Sequence, residues 1–347
     1  VTSHNFFFVV AFSIIIPFLL TIFLIYVLWI GLVESFIGFV LYLSKKDFFV
    51  KKSDQSSKRC ILYMKRLSFC RYLKPFYKKP LFLSFLIGIL VAFISTVFQP
   101  KTPSLLIAHR GASQYAPENT LAAFEKAVDL GYDFIELDVR FSKDGKLVVI
   151  HDEDVSRTTN GTGYVSEQTA FELKQLDAGS WFSPQYTGET IPLLSEVLTL
   201  FGGKIGLLLD IKSPTDEMIV TLSNLLSESI ENGIDPNTIK VQSFQPQAMQ
   251  QLAHICPSIS VGVLINKPIT FFHLASYRHY ASFISIQHHY LTKSFLFHAN
   301  LFNYKIFTWT IKKESQLVLL ERFPIDGVIS NTERKVSRPF IVLGDEM

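Results

Sequence analysis

The sequence predicts an α/β protein, a distorted TIM (β/α)8 barrel preceded by transmembrane helices. The barrel is indicated after residue 100, where short apolar runs alternate with helix-like patterns and several runs end in charged residues. The membrane part is indicated by the first hundred residues, which contain two long stretches with almost no charge. Composition agrees, because 48% of the 347 residues are hydrophobic, 18% are charged, and the mean hydropathy is +0.28.

The first apolar stretch covers residues 5–43 and contains a single charge, Glu34. A helical span needs about 20 residues, so this stretch is long enough for two tight spans. One span followed by an interfacial helix over about residues 29–43 fits equally well. A cleaved signal peptide is not expected, because the stretch is too long and no basic region precedes it. We therefore assign residues 1–44 to one or more transmembrane segments.

A basic loop separates this stretch from a second one. Residues 45–80 carry twelve Lys or Arg and only two acids, and residues 81–98 then carry no charge at all. We assign 81–99 to a transmembrane helix, and the positive-inside rule places the basic loop in the cytoplasm. Nucleic-acid binding is the alternative for the loop, but its place between two apolar stretches favours membrane lipids as its partner. The chain is thus expected to be a multi-pass cell-membrane protein whose remaining residues lie outside the cytoplasm.

The charge balance reverses after residue 100. Residues 101–347 carry 21 Lys or Arg and 27 Asp or Glu, a net charge of about −6. An acidic domain of this kind is a poor nucleic-acid binder, so no nucleic-acid partner is expected. We assign residues 101–335 to the barrel domain and 336–347 to a tail. The oligomeric state is left open.

Nine short apolar or β-branched runs are strand candidates in the barrel domain. Helix-like patterns lie between most of them; one is 120–131, which Asn119 is placed to cap and Gly131 to end. Such alternation predicts a parallel sheet covered on both faces, and eight strands close a barrel, so one candidate is surplus. The second and third are joined by too few residues for a helix, which makes the barrel irregular there. The runs are 105–109, 134–140, 146–152, 205–212, 239–244, 260–265, 283–287, 305–311 and 327–330.

Charged side chains stand at the ends of the first four candidate strands. In a parallel barrel the carboxyl ends of the strands share one rim, where functional residues lie. We therefore expect these side chains to meet in one site. They are His109, Arg110, Glu136, Asp138, His151, Asp152, Asp210 and Lys212, with Trp309 at the end of a later strand.

Three of these carboxylates predict a metal site. Glu136 and Asp138 are two residues apart on a strand, so both point to the same face. They repel each other and raise each other's pKa unless a cation lies between them. With Asp210 they form an all-oxygen site of the kind that Ca²⁺ or Mg²⁺ prefers. The alternative is a carboxylate pair within a buried salt-bridge network.

The basic side chains indicate phosphoryl transfer. His109 and His151 suit a general acid and base pair, because imidazole titrates near neutral pH. Arg110 offers a bidentate fork to a phosphate, and Gly111 leaves room for a ligand to approach the backbone. Together with a metal acting as a Lewis acid, these residues predict reaction at a phosphodiester.

Four motifs carry a family resemblance. AHRGASQYAPENT (108–120), IELDV (135–139), DGKLVVIHD (144–152) and TNGTG (159–163) resemble the glycerophosphodiester phosphodiesterase family over about residues 105–331. The resemblance implies a distorted TIM barrel related to phosphatidylinositol-specific phospholipase C. It also implies hydrolysis of a glycerophosphodiester substrate to sn-glycerol 3-phosphate and an alcohol.

Residue roles follow from the resemblance. His109 and His151 would be the acid and base, while the divalent cation would be held by Glu136, Asp138 and Asp210. Arg110 and Lys212 would contact the phosphate, Trp309 would line the glycerol side, and Glu118 would be mainly structural. One departure concerns Asp210, since the family's motif there is usually Glu-Ile-Lys, which predicts weaker or water-mediated metal binding. More loosely, residues 1–100 resemble the end of the multi-span domain that some members carry.

Two other functions remain open. One is a phospholipase-like lyase that stops at the cyclic phosphate, which the Pro-Glu-Asn-Thr motif disfavours. The other is a non-catalytic barrel that binds lipid head groups, which the presence of both histidines and of the paired carboxylates disfavours. His288 and His289 are interpreted as rim residues rather than a second metal site. Trp181 and Phe182 are placed either to cap the site or to pack a loop.

Overall fold

The computed structural model describes residues 105–320 and 323–332, together with Gly88. All of them lie in one unit of the chain, Ile87–Met347. The predicted transmembrane segments 1–44 and 81–99 (Gly88 apart), the basic loop 45–80 and the tail 336–347 lie outside the described residues. Within the described part, no helix combines the length and hydropathy that a membrane span requires.

Strands and helices alternate along the described residues. They are β1 (Leu105–Ala108), α1 (Leu121–Asp129), β2 (Phe134–Phe141), β3 (Leu147–Val149), α2 (Ala170–Leu173), α3 (Leu194–Phe201), β4 (Gly206–Ile211), α4 (Asp216–Glu231), β5 (Ile239–Ser243), α5 (Pro246–Ile255), β6 (Ser260–Ile265), α6 (Phe271–Tyr277), β7 (Phe283–Gln287), α7 (Lys293–Leu301), β8 (Lys305–Ile311), α8 (Glu314–Leu320) and β9 (Gly327–Ser330).

Eight parallel strands close into a barrel in the order β1, β2, β4, β5, β6, β7, β8, β9. The ring is completed where β9 pairs with β1, with Leu105 opposite Gly327. The predicted (β/α)8 barrel is therefore confirmed, and each of the nine candidate runs contains a strand. Apolar residues between the strands and the surrounding helices form the main core.

The surplus strand is β3, which pairs antiparallel with β2, so that Val149 lies opposite Val139. The expectation that His151 ends a strand of the barrel is therefore wrong. The turn between β2 and β3 carries the chain beyond the rim, and β3 brings it back. The Ile150 N–H then donates to the carbonyl of Asp138 at 3.0 Å, which returns His151 to the level of the β2 carboxylates.

A small apolar cluster fills the inside of the barrel. Alternate residues of a strand point to opposite faces, so the residues two positions further along extend from the same inner face. The residues that follow the cluster by two positions include His109, Asp210, Trp309 and Asn331. The polar residues of the rim therefore lie directly above an apolar layer inside the barrel. The cluster consists of Ile107, Leu208, Phe283, Phe307 and Ile329.

Residues 150–193, here called the inserted segment, separate β3 from α3. The segment packs around its own apolar cluster, which includes the fully buried Val155 and Leu173. Its Tyr186 hydroxyl donates to the carbonyl of Tyr115 at 2.8 Å and so ties the segment to the loop after β1. The rings of Trp181, Phe182 and Tyr186 pack edge to face. The three aromatic residues therefore pack against one another within the inserted segment.

Two features of the loop after β1 differ from expectation. Asn119 does not cap α1, because the Thr120 hydroxyl accepts the Ala123 N–H instead, at 3.3 Å. Gly111 has φ +77° and lies against α1, where an added Cβ would be 2.8 Å from the Ala123 Cβ. Glycine is thus required by the turn and by its contact with the helix, whereas the sequence suggested room for a ligand. Gly131 follows the last turn of α1 with φ +71°, as expected.

Candidate active site

All the predicted site residues lie at the carboxyl end of the barrel. His109 and Arg110 directly follow β1, and Lys212 directly follows β4. Glu136 and Asp138 lie within β2. Three further residues complete the set: Asp210 in β4, Trp309 in β8, and His151 after the antiparallel β3.

The three predicted metal ligands form one buried cluster. Asp138 and Asp210 are register partners on adjacent strands, and Glu136 precedes Asp138 on the same inner face. Each of the three carboxylates offers an oxygen within 4.8 Å of the other two. Their exposed fractions are between 1% and 3%, so water screens them very little. The register between β2 and β4 alone is enough to bring Asp138 and Asp210 together.

Burial and mutual repulsion alter the acidity of these groups. Burial, followed by the negative charges of Asp138 and Asp210, raises the pKa of Glu136 well above its usual value. Burial likewise raises the pKa of Asp210 to about 6, despite the nearby Lys212. For Asp138 the charges of Lys212 and Arg110 outweigh the effect of burial and hold its pKa below the usual range.

The cluster fits a divalent cation. Oδ1 of Asp210 is buried without a hydrogen-bond partner, which is costly for a carboxylate oxygen. Glu136 Oε2 accepts the backbone N–H of Arg110 at 2.8 Å, a neutral donor that does not compensate the charge of the cluster. An all-oxygen donor set suits Ca²⁺ or Mg²⁺. Asp210 reaches the cluster although it is one methylene shorter than glutamate, so the triad can bind a metal.

Arg110 and Lys212 lie against the carboxylates. Lys212 Nζ is 2.9 Å from Asp138 Oδ1 and also pairs with Asp210. Arg110 Nε is 3.2 Å from Asp138 Oδ2. Burial alone would lower the pKa of Lys212, but the charges of Asp138 and Asp210 outweigh it and raise that pKa. Both side chains therefore remain cationic beside the acidic triad. Their contact with a phosphate stays a prediction.

His109 is oriented by Asn331, a residue that the sequence analysis missed. The His109 Nδ1–H donates to Asn331 Oδ1 at 2.8 Å, which leaves Nε2 as the ring nitrogen with a lone pair. Burial, reinforced by the charge of Arg110, lowers the pKa of His109 to about 4. The ring is therefore neutral near pH 7. Asn331 is 222 residues away in the chain, and its position directly after β9 was the only signal for it.

His151 is oriented by a carboxylate instead. Its Nδ1–H donates to Asp152 Oδ1 at 2.6 Å. Burial lowers the pKa of His151 below its usual value, and it outweighs the charge of Asp138 and the hydrogen bond to Asp152, which act in the opposite direction. A carboxylate partner stabilises the imidazolium form, which the amide of Asn331 cannot do. The two histidines are thus held in different electrostatic surroundings.

Arg157 of the inserted segment links the two sides of the site. Its Nε pairs with Asp152, and its terminal nitrogens donate to Glu118 at 2.7 and 3.0 Å. Glu118 in turn accepts from Arg110 NH1 at 2.7 Å. Glu118 therefore has a structural role, because its carboxylate accepts hydrogen bonds from both Arg110 and Arg157 and so connects them. Arg157 was missed because only its place in the three-dimensional fold reveals these contacts.

Asn119 fixes the orientation of Asp138. Its side-chain Nδ2 donates to Asp138 Oδ2 at 2.8 Å, and its Oδ1 accepts the Asp138 backbone N–H at 3.1 Å. Asn119 adopts φ +59°, in the left-handed region that asparagine tolerates better than most residues. The loop after β1 thus supplies a clamp for a carboxylate that the sequence analysis assigned to the metal.

Other predicted rim residues lie outside the carboxylate cluster. Trp309 Nε1 donates to the carbonyl of Ser285 at 3.1 Å, and its ring contacts Phe244 edge to face. His288 and His289 form a turn directly after β7, in agreement with the interpretation as rim residues. The predicted contact of Trp309 with glycerol stays a prediction.

A (β/α)8 barrel with two oriented histidines, an arginine, a lysine and a buried acidic triad at one rim defines an enzyme of phosphodiester chemistry. The chain belongs to the glycerophosphoryl diester phosphodiesterase family, whose model matches residues 109–333. It is therefore a phosphoric diester hydrolase.

Individual relatives match over the same part of the chain. The Bacillus subtilis protein YhdW is 40% identical over 235 residues, covering 65% of this chain and 93% of that protein. The glycerophosphodiester phosphodiesterase of Caldanaerobacter subterraneus subsp. tengcongensis is 35% identical over 234 residues, covering 66% and 94%. An Oleispira antarctica phosphodiesterase, solved in complex with the product sn-glycerol-3-phosphate, is 31% identical with a TM-score of 0.61, covering 66% and 93%.

Replacement of Arg157 by lysine tests its positioning role. Lysine keeps the charge, but one ammonium group cannot reproduce the fork that contacts both Asp152 and Glu118. We expect kcat for glycerophosphoethanolamine to fall about 10- to 100-fold, as for the loss of one charge-assisted hydrogen bond, with a smaller change in KM. The matched control is Arg278→Lys at the exposed residue directly after α6, which should leave kcat unchanged. An unchanged kcat in Arg157→Lys would contradict the assignment.

Proposed function

We propose that the chain is a membrane-anchored, metal-dependent glycerophosphodiesterase that releases sn-glycerol 3-phosphate and an alcohol through His109 and His151. The observation that carries this proposal is the different partner of each histidine, a neutral amide for His109 and a carboxylate for His151. The Oleispira antarctica relative bound to sn-glycerol-3-phosphate supports the identity of the product. The acidic triad supports the dependence on metal.

His109 is assigned as the base of the first step. With Nδ1–H held by Asn331 and a low pKa, its Nε2 is free to accept a proton at neutral pH. We propose that it takes the proton of the glycerol 2-hydroxyl as that oxygen attacks phosphorus.

His151 is assigned as the acid. Asp152 favours its protonated form against the effect of burial, which lowers the pKa of His151, and Arg157 holds Asp152 in place. His151 gives its proton to the leaving alcohol oxygen as the phosphorus–oxygen bond breaks. In the second step the roles reverse: His151 takes a proton from water, which opens the cyclic phosphate, and His109 returns its proton to the glycerol 2-oxygen.

The remaining residues bind and neutralise the phosphate. Glu136, Asp138 and Asp210 would hold a Ca²⁺ or Mg²⁺ ion, which supplies Lewis-acid stabilisation of the negative charge that develops on phosphate oxygens. Arg110 and Lys212 would contact the same phosphate, and both are within 3.2 Å of Asp138. Trp309 would line the glycerol side.

Removal of the metal tests the first part of the proposal. With the full chain in detergent, EDTA should abolish release of glycerol 3-phosphate from glycerophosphoethanolamine, and Ca²⁺ or Mg²⁺ should restore it. Asp210→Asn should not recover at the cation concentration that restores the parent chain, because a ligand charge is lost. Turnover that resists EDTA would refute metal dependence. Accumulation of the cyclic phosphate as the final product would favour a lyase.

The assignment of His151 as the acid predicts a dependence on the leaving group. His151→Ala should lose about 10²- to 10⁴-fold in kcat on glycerophosphoethanolamine. It should lose at least about tenfold less on a p-nitrophenyl diester, whose leaving group needs little protonation. His254→Ala, an exposed histidine of α5, serves as the control and should match the parent chain.

Two results would contradict this mechanism. Equal losses on both substrates would show that His151 does not protonate the leaving alcohol. Cleavage of a 2-deoxyglycerol analogue as fast as the parent diester would rule out attack by the 2-hydroxyl.

The proposed location is the cell membrane, with the barrel outside the cytoplasm. Its support is the sequence alone, namely the uncharged stretches and the basic loop between them. A membrane-impermeant maleimide should label Glu228→Cys, an exposed position of α4, in intact cells. Cys60 and Cys70 of the basic loop should react only after lysis, and the buried Cys256 should stay unlabelled. If Cys60 and Cys70 were labelled in intact cells and position 228 were not, the barrel would lie in the cytoplasm, which would contradict the proposed orientation.

A further inference from the structure

We propose that a groove beside the site binds the alcohol half of the substrate and selects polyhydroxy alcohols; this inference rests on the proposed function. The groove has a volume of about 460 Å³, within the range of ligand pockets of roughly 300–1,000 Å³. It lies between the turn that joins β2 to β3, the inserted segment and the start of α4. Among its lining residues are Arg140, Lys143, Glu153, Ser166, Lys212 and Glu217.

The groove adjoins the carboxylate cluster through a shared side chain. Lys212 lines it and also contacts Asp138 and Asp210, so one side chain belongs to both places. Arg140 lines it as well, and its Nε donates to the carbonyl of His151 at 2.7 Å. The groove therefore lies beside the backbone of His151, the residue that we propose as the acid for the leaving alcohol.

The barrel order places this groove opposite the proposed glycerol side. Trp309 lies on β8, and β8 is four strands from β4 in either direction around the ring. The groove adjoins β4 through Lys212. A diester whose phosphate lies between these strands, with its glycerol toward Trp309, extends its other substituent over β4 and into the groove.

The lining carries charges of both signs. Arg140, Lys143 and Lys212 line it together with Glu153 and Glu217, and Arg140 is 3.8 Å from Glu153. An ammonium group would meet the three cations, and a second phosphate would meet the two carboxylates. A hydrocarbon chain would remove water from all five without replacing its hydrogen bonds. Hydroxyl groups both donate and accept, so a polyol satisfies both kinds of partner.

Four diesters with a common sn-glycerol 3-phosphate half test the proposal with the full chain in detergent. Their alcohols are inositol, choline, n-hexanol and methanol, the last too small to enter the groove. We expect kcat/KM for the inositol ester to exceed the other three by about tenfold, the gain from one or two hydrogen bonds. Ser166→Trp, which fills the groove from the exposed side, should remove this preference and leave the methyl ester unchanged. The matched control is Glu167→Trp, one exposed position away and outside the lining, which should keep the preference.

Binding to the His109→Ala chain, measured by titration calorimetry, separates this inference from the proposed function. Tighter binding of the inositol ester than of the methyl ester, lost in the added Ser166→Trp change, supports the groove even if the parent chain proves inactive. Equal kcat/KM for the inositol and methyl esters in an active parent, a preference for choline or hexanol, or equal losses on all four esters in Ser166→Trp would overturn it.

Discussion

The site depends on one constraint, the forced proximity of three buried carboxylates. The β2–β4 register sets Asp138 beside Asp210, and the alternation of β2 adds Glu136 on the same face. Burial of charge without compensation is costly, so the surroundings must supply cations or keep protons on the acids. The positive charges of Arg110 and Lys212 compensate part of the negative charge at Asp138. The buried oxygen of Asp210 that has no hydrogen-bond partner and the raised pKa of Glu136 leave part of this charge uncompensated by Arg110 and Lys212, as expected of a triad that can bind a metal.

The inserted segment is part of the same electrostatic arrangement. Val155, buried in that segment's own apolar cluster, anchors the short turn that ends in Arg157. Arg157 reaches Asp152 on one side and Glu118 on the other, and these contact His151 and Arg110. The segment therefore holds in place both His151, which we propose as the acid, and Arg110, which we propose to bind the phosphate. Its edge also forms one wall of the groove that we assign to the alcohol.

Local patterns in the sequence predicted the barrel and its rim, because strands and their inner faces follow from apolar alternation. The same patterns did not predict the antiparallel strand β3, where the chain reverses direction after β2. The short link between the second and third runs showed that no helix fits there, yet the antiparallel return of His151 to the rim depends on how β3 pairs with β2. Asn331, Arg157 and the hydrogen bonds from Asn119 to Asp138 were not predicted, since each depends on a side-chain contact that only the folded chain brings about. Asn119 was predicted to cap α1 because asparagine is a common capping residue, but its neighbour Thr120 is the N-cap of that helix.

The most direct test of the account is a calorimetric titration of the full chain with Ca²⁺ and with Mg²⁺ near pH 6, in buffers of different ionisation enthalpy. Asp210 has a pKa of about 6 and is therefore protonated in part at that pH, and burial raises the pKa of Glu136, which favours its protonated form. Cation binding must displace these protons. The account predicts one cation per chain, bound with release of protons, and loss of the binding in Glu136→Gln. Binding without proton release, or binding that survives Glu136→Gln unchanged, would contradict the claim that the three carboxylates form the metal site.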